Sequence, residues 1–77
     1  MTLDSLQVGE RGVVVYIEGT DTVAVRLAEM GVIDGEEIEL VGTAPFGDPL
    51  EFSLRGYRLS LRKAEAVRVN IEPLKSK

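Results

Sequence analysis

The chain has 77 residues and a net charge of −4, with nine basic and thirteen acidic side chains. A chain of this length forms one small domain, here expected over residues 1–77, and its acidity argues against a nucleic-acid partner, which a basic surface would signal. Cysteine and histidine are both absent, which excludes disulfides, sulfur nucleophiles and the commonest metal ligands and general bases, so we expect neither a cofactor nor a metal site.

No segment is apolar for long enough to predict a membrane span. The longest uninterrupted apolar run, Val13–Ile17, is far shorter than the roughly 20 residues that a transmembrane helix needs. The N-terminus has neither the basic start nor the long apolar stretch of a signal peptide. The sequence therefore predicts a cytoplasmic protein without direct membrane insertion.

The chain is predicted to begin with an entry segment and a strand. Leu3 and Leu6 are expected to cap the core ahead of the first strand. That strand is predicted over Gly12–Ile17, where apolar residues on both faces are typical of a central position in a sheet.

The only helical pattern covers Thr22–Met30. Apolar residues recur there at helical spacing, namely at Val23, Leu27 and Met30. Asp21 or Thr20 can cap the start of the helix, and Gly31 occupies the position at which a left-handed residue commonly ends one.

The second half predicts a meander of strands, with one helical turn at Lys63–Ala66 before the last of them. Arg55–Gly56 is a two-residue hairpin loop. The register of that hairpin places all its large apolar side chains on one face, with Phe52 opposite Leu59 and Leu50 opposite Leu61. The alternating segments are centred on Ile38 and Leu40, on Leu50–Leu54, on Tyr57–Leu61, and on Val67, Val69 and Ile71. Five short strands with one short helix inserted after the first predict a mainly β fold, a small bent barrel.

Charge is distributed unevenly along the chain. Residues 1–54 contain eleven acids against Arg11 and Arg26, whereas residues 55–77 contain seven bases against Glu65 and Glu72. The two parts can lie on neighbouring strands and neutralise each other, or they can form an acidic and a basic face that each steer a charged partner. The hairpin register favours neutralisation, because it places Glu51 diagonal to Arg58 and Arg62.

The segment Ala44–Pro49 contains three backbone breakers in six residues, between two strands. Pro45 and Pro49 cannot donate to a sheet, and Gly47-Asp48 supplies a turn. The loop is either a stiff hairpin connection or a recognition surface, which a constrained loop suits because little entropy is lost on binding.

Three blocks of sequence resemble those of one family. The first is Arg26-Leu27-Ala28-Glu29-Met30-Gly31, the second is the loop Ala44–Pro49, and the third is Leu59–Ala66. In this order and spacing they resemble the FeoA family, the small cytosolic component of bacterial and archaeal ferrous iron uptake. The similarity extends from Leu3 to Ile71, which is nearly the whole chain.

This resemblance implies a small SH3-like five-stranded barrel without enzymatic activity. It also implies a partner, the ferrous iron transporter FeoB, which the protein would regulate or assemble by binding the cytosolic G-protein portion or the membrane portion. The same domain type occurs at the C-terminus of iron-dependent repressors, so a metal-linked accessory domain is one alternative. Another is a general SH3-like adaptor for proline-rich peptides, for which four aromatic residues are few. An exposed strand edge could also pair with a second copy of the chain.

Two arginines are candidate partner contacts, and each also has a structural role to consider. Arg26 can pair with Glu29 on the helix surface, or it can bind a phosphate or carboxylate of a partner. Arg62 presents the same choice, with Glu51 as its neighbour within the chain.

The remaining candidates are apolar residues and one acid. Phe46 is the clearest, since an aromatic side chain at the tip of a turn has little core to enter. With Pro45, Leu27 and Met30 it is expected to form an apolar patch that takes a partner's side chain. Asp48 is expected to accept backbone N–H bonds within the turn.

Overall fold

Five antiparallel strands form a single sheet in the computed structural model, which describes residues 1–74. The order of the strands across the sheet is β4-β3-β2-β1-β5. Mainly β architecture with a short helix after the first strand is therefore confirmed. The elements are a 3-10 helix at Leu3–Ser5, β1 (Arg11–Ile17), α1 (Thr22–Glu29), β2 (Glu37–Thr43), β3 (Leu50–Leu54), β4 (Tyr57–Leu61), α2 (Lys63–Ala66) and β5 (Val69–Leu74).

The β3–β4 hairpin has the predicted register. Phe52 pairs with Leu59, and Leu50 pairs with Leu61. Arg55 and Gly56 both have positive φ angles, 53° and 88°, as the two central residues of a type I′ turn require. The two-residue loop therefore fixes the pairing that buries one face of the hairpin.

The core lies between the sheet, α1 and the entry segment. Leu3 and Leu6 are buried, so their predicted role at the base of the core is confirmed. Each strand contributes alternate residues to the same cluster. The largest fully buried side chains are Phe52, Leu3, Leu27, Ile38, Leu54, Leu61, Val14, Val32 and Val69.

The first strand is not buried on both faces, which corrects the prediction. Val14 is buried, but Val15 and Tyr16 are both about half exposed. The pairing of β1 with β5 shifts register between Val14 and Tyr16. Such a bulge places two residues of one strand opposite one residue of the other and turns the strand locally. The end of β1 therefore shows apolar side chains to solvent.

Val67 is likewise not a strand residue. It caps the C-terminus of α2 and is exposed, and β5 begins at Val69. The single helical turn over Lys63–Ala66 is confirmed.

Both predicted ends of α1 are observed. The Asp21 side chain accepts a hydrogen bond from the backbone N–H of Ala24 at 3.3 Å, which satisfies one of the free donors at the helix start. The helix ends at Glu29 with Met30 as its C-cap, and Gly31 follows with a φ of +98°. The Tyr57 hydroxyl donates to the carbonyl oxygen of Met30 and so attaches the end of α1 to the β3–β4 hairpin.

The two outer strands differ in how their edges are covered. On β5, the N–H of Ile71 donates to the carbonyl of Met1 at 2.8 Å, and Pro73 has no N–H to offer. Strand β4 is the other edge of the sheet. Association of two copies through a strand edge stays a prediction, and β4 is where we expect it. Within residues 1–74, no helix has the length and apolar character needed to cross a bilayer.

Candidate functional site

The loop between β2 and β3, residues Ala44–Pro49, is named the Phe46 loop here. Thr43 pairs with Leu50 at its base. Inside the loop, the N–H of Ala44 donates to the carbonyl of Pro49 at 3.0 Å, and the N–H of Gly47 donates to the carbonyl of Ala44 at 2.8 Å. The Phe46 side chain is 98% exposed. A hydrogen-bonded loop thus presents one aromatic side chain directly to solvent.

Asp48 connects the Phe46 loop to α2. Its carboxylate accepts a hydrogen bond at 3.0 Å from the backbone N–H of Lys63, the first residue of that helix. The expectation that Asp48 bonds within its own turn is therefore corrected: β4 carries the chain back alongside β3 and brings an unpaired helix donor to the loop. The Lys63 ammonium lies beside the loop, since a Cβ on Gly47 would be 3.7 Å from it.

The Glu65 carboxylate contacts both candidate arginines, Arg62 through its backbone N–H and Arg26 through its side chain. Glu65 accepts a hydrogen bond at 2.9 Å from the backbone N–H of Arg62 and forms an ion pair with the Arg26 side chain. Arg26 therefore pairs with α2 rather than with Glu29, and its side chain remains 60% exposed. The carboxylate of Glu51 accepts from the Ser60 hydroxyl at 2.6 Å. Within residues 1–74, the guanidinium of Arg62 has no ion-pair partner.

Leu27 and Met30 do not join the Phe46 loop in one apolar patch. Leu27 has no exposed surface, because the helix turns that side chain into the core. Met30 is partly buried and lies where α1 meets Tyr57, at the turn end of the β3–β4 hairpin. The Phe46 loop is at the other end of that hairpin, next to Leu50, and five strand residues span about 13 Å. Contact with a partner through Leu27 is therefore ruled out in the folded chain.

Ion pairs join the two oppositely charged parts of the chain. Of the four pairs among residues 1–74, three link a base beyond residue 54 to an acid before it, or the reverse. The pairs are Arg26–Glu65, Arg55–Glu36, Arg68–Asp21 and, within the first part, Arg11–Glu37. Two of these pairs, Arg55–Glu36 and Arg68–Asp21, join a base of the second part to an acid of the first, so the two parts neutralise each other in part.

The Asp21–Arg68 pair is the one that shifts the ionisation of its members. The hydrogen bond from Arg68, assisted by the bond from Ala24, holds the pKa of the Asp21 carboxyl below its usual value. The same side-chain hydrogen bond raises the pKa of Arg68. Both charged forms are thus favoured at the start of α1.

An apolar groove that the sequence patterns did not predict lies between β1 and α1. It is a shallow, open depression of about 470 Å³. Four of its apolar residues are about half exposed, with exposed fractions of 42% for Val15, 54% for Tyr16, 52% for Val25 and 43% for Ile33. We call this feature the β1–α1 groove, and its remaining lining residues are Ile17, Gly19, Thr20, Ala24, Ala28, Val32 and Asp34.

Two features of the sequence create the β1–α1 groove. The bulge in β1 leaves Val15 and Tyr16 facing solvent, and small residues at Ala24 and Ala28 leave space along the facing side of the helix. The signal was present in the sequence as a strand that is apolar on both faces, followed by a helix with Val25 outside its main apolar stripe. Only one face of such a strand can be covered by the sheet's own core.

Residues 1–74 contain no group of three or more acidic side chains placed to hold a metal ion. The nearest acidic cluster is Glu36, Glu37 and Glu39, and it is interleaved with bases, because Arg11 pairs with Glu37 at 2.5 Å and Arg55 with Glu36 at 3.6 Å. The features that remain for a functional surface are the Phe46 loop with its neighbouring bases and the β1–α1 groove.

Comparison with known proteins links the chain to ferrous iron transport. A family model described as the FeoA domain matches residues 1–73. A fusion of Fe(2+) transport protein A with the Fe(2+) transporter FeoB, from Porphyromonas gingivalis, is 34% identical over 76 residues. That match covers 99% of this chain but only 9% of the fusion protein, so the chain spans less than a tenth of that relative's length.

Solved structures give the same family and the fold. The FeoA-like protein of Clostridium acetobutylicum superposes with a TM-score of 0.92 and 36% identity, over 100% of this chain and 90% of that one. The zinc complex of Stenotrophomonas maltophilia FeoA superposes with a TM-score of 0.82 and 36% identity, over 94% and 89% of the two chains. That protein is described as a prokaryotic SH3 domain protein and suggested as a ferrous iron transport activating factor. The SH3-like fold is thereby confirmed.

A manganese-dependent transcriptional repressor superposes over 96% of this chain and 36% of its own, with a TM-score of 0.87 and 17% identity. At that identity the likeness extends to the fold alone.

Proposed function

The chain belongs to the FeoA family, and from this membership we propose that it is a non-enzymatic accessory protein of ferrous iron uptake that binds the FeoB transporter and regulates or assembles it. The observation that carries the proposal is the Porphyromonas gingivalis fusion, in which a segment similar to nearly all of this chain is joined to FeoB. Fusion keeps two domains at a high effective concentration, which is useful where they act on each other. The proposal places the chain in the cytoplasm, on the side of FeoB that carries its G-protein portion.

The Phe46 loop is the contact surface that we propose for the transporter. Exposed aromatic side chains on ordered loops are typical anchors of protein interfaces, because they bury a large area with little loss of entropy. Phe46 stands beside Pro45 and is held in place by the Asp48–Lys63 hydrogen bond. Lys63, whose ammonium lies beside Gly47, and Arg62 at the start of α2 add positive charge next to the loop, which suits an acidic rim on the partner.

Binding to the intact transporter tests this proposal. Labelled protein is titrated against full-length FeoB in nanodiscs, with GDP and with a non-hydrolysable GTP analogue, and then against its soluble G-protein portion. We expect saturable binding that Phe46→Ala weakens about tenfold or more, the effect of removing a central aromatic anchor. Val8→Ala is the matched control, because Val8 is also apolar and exposed but lies outside the loop.

The two parts of the titration have separate consequences. Binding to full-length FeoB but not to the G-protein portion would assign the contact to the membrane portion. Failure to bind full-length FeoB with either nucleotide would contradict the proposed function.

A further inference from the structure

Two surfaces of this chain, the Phe46 loop and the β1–α1 groove, are complementary in shape and charge. They do not contact each other within one molecule, because Phe46 is 98% exposed. We propose that the protein self-associates head to tail, with the Phe46 loop of one copy inserted into the β1–α1 groove of a second copy. This inference goes beyond the proposed function and does not depend on it.

The Phe46 side chain and the β1–α1 groove are complementary in shape. Phe46 is almost fully exposed within its own copy, so its ring is not in the groove of that copy. The groove is a shallow, open depression of about 470 Å³, so an aromatic ring can lie against its floor without having to enter an enclosed cavity. Its walls present half-exposed Val15, Tyr16, Val25 and Ile33. A projecting aromatic ring and an apolar groove with room for it remove apolar surface from water when they meet.

The charges of the two surfaces are also complementary, and they favour a second copy of the chain as the molecule that occupies the groove. Among residues 1–74, the only charged residue that lines the groove is Asp34, which is exposed. The Phe46 loop is bordered by the bases Lys63 and Arg62. None of these three side chains forms an ion pair with another residue in the part of the chain that is described. The loop has one acid of its own, Asp48, which accepts from the backbone N–H of Lys63. The two bases Lys63 and Arg62 outnumber it, so this region is net positive and is attracted to the Asp34 carboxylate in the groove of a second copy.

The geometry of the contact determines what it builds. The loop and the groove are different surfaces, so the contact is heterologous. After two copies meet, one of them still has a free loop and the other a free groove. Further copies can therefore add at both ends, and the assembly grows into a ring or an open chain. One aromatic ring and its neighbours bury far less than the roughly 1,200 Å² of a stable interface, so the association is weak and depends on concentration. The expected dissociation constant lies in the high micromolar to millimolar range.

Sedimentation velocity and ¹⁵N amide spectra, recorded over roughly two decades of concentration up to about 1 mM, measure this association. We expect the wild-type sedimentation coefficient to rise with concentration, with shifts in the amides of the Phe46 loop and the groove. Phe46→Ala and Val25→Lys should each remain monomeric. Lysine has a good helix propensity, so Val25→Lys opposes docking without weakening α1. Val8→Lys, the same change at an exposed residue outside the groove, should behave like wild type.

Mixing the two variants gives the decisive result. Phe46→Ala retains an intact groove, and Val25→Lys retains an intact loop, so together they should form a one-to-one dimer that cannot grow further. A wild-type protein that stays monomeric at about 1 mM would overturn the proposal and leave the groove to another partner. A mixture that stays monomeric, or self-association that both single variants leave unchanged, would overturn it as well. None of these outcomes depends on FeoB, so the proposed function fails or stands separately.

Discussion

At the scale of single residues, Leu27 and Phe46 show how position decides the role of an apolar side chain. Leu27 is on the inner face of α1 and has no exposed surface, whereas Phe46 is at the tip of a loop and is 98% exposed. Burial of a leucine removes apolar area from water and fills space that the core cannot close again. An exposed phenylalanine contributes almost nothing to the fold and is free to contact another molecule.

Leu27→Ala should therefore lower the free energy of unfolding by about 2–5 kcal/mol, the cost of lost transfer energy plus a residual cavity. Phe46→Ala should change it by less than about 0.5 kcal/mol. Urea unfolding followed by circular dichroism measures both. A loss of more than about 1 kcal/mol for Phe46→Ala would show that the loop packs on the fold, and the contact surface proposed for it would be wrong.

At the scale of elements, the end of α1 is held by both its glycine and the β3–β4 hairpin. Gly31 has a φ of +98°, and the Tyr57 hydroxyl donates to the carbonyl of Met30 directly before it. A Cβ on Gly31 would overlap the Tyr57 hydroxyl and would lie 3.3 Å from a methyl carbon of Leu54. Gly35 has a similar φ of +90° but open space around it.

Gly31→Ala and Gly35→Ala should both destabilise the fold, because alanine at positive φ costs about 1–2 kcal/mol. Gly31→Ala should cost about 1 kcal/mol more, since the tyrosine must move and lose its hydrogen bond. Thermal and urea unfolding compare the pair. In a Tyr57→Phe background the difference should shrink, and equal losses for the two alanine variants in the original background would show that the hairpin does not hold the helix end.

At the scale of the whole molecule, ion pairs connect segments that are far apart in the sequence. Asp21 precedes α1 and Arg68 precedes β5, and their side chains meet at 2.5 Å. Arg68 also donates from Nε to the carbonyl of Glu18 at 3.0 Å. The hydrogen bond from Arg68 lowers the pKa of Asp21 from its ordinary value of 3.8. A carboxyl whose pKa is lower in the folded chain than in the unfolded chain stabilises the fold above the unfolded value, and that contribution is lost as pH falls through the folded value.

Asp21→Asn should therefore reduce stability at pH 7, while keeping the helix cap that asparagine also provides. The difference from wild type should stay constant down to about pH 5 and disappear once the wild-type carboxyl is protonated below pH 3.8. Urea unfolding over this pH range measures it. Arg68→Gln should remove most of the same pH-dependent part, because the bond from Ala24 still lowers the pKa of Asp21. The double variant should lose no more of it than Asp21→Asn alone. A difference that persists unchanged in acid would show that the ion pair is not its cause.

Local patterns in the sequence determined much of the fold, because local sterics and short-range hydrogen bonds decide these features. The hairpin at Arg55–Gly56, the cap at Asp21, the positive φ of Gly31 and the alternation in β3 each depend on residues within a few positions of one another. Phe46 was identified for the same reason, since prolines and a glycine around it exclude it from a strand.

Contacts between residues that are distant in sequence were decided only by the tertiary structure. Arg26 forms its ion pair with Glu65 on α2 and not with Glu29 in its own helix. The Asp48 carboxylate accepts from the backbone N–H of Lys63 and not from an N–H of its own turn. The β1–α1 groove depends on a bulge set by the pairing of β1 with β5. The apolar character of both faces of β1 is visible in the sequence, but the position of that bulge is not. Such choices are settled by whole elements packing against each other, because the pairing of two strands fixes many contacts at once and a single side chain cannot change it.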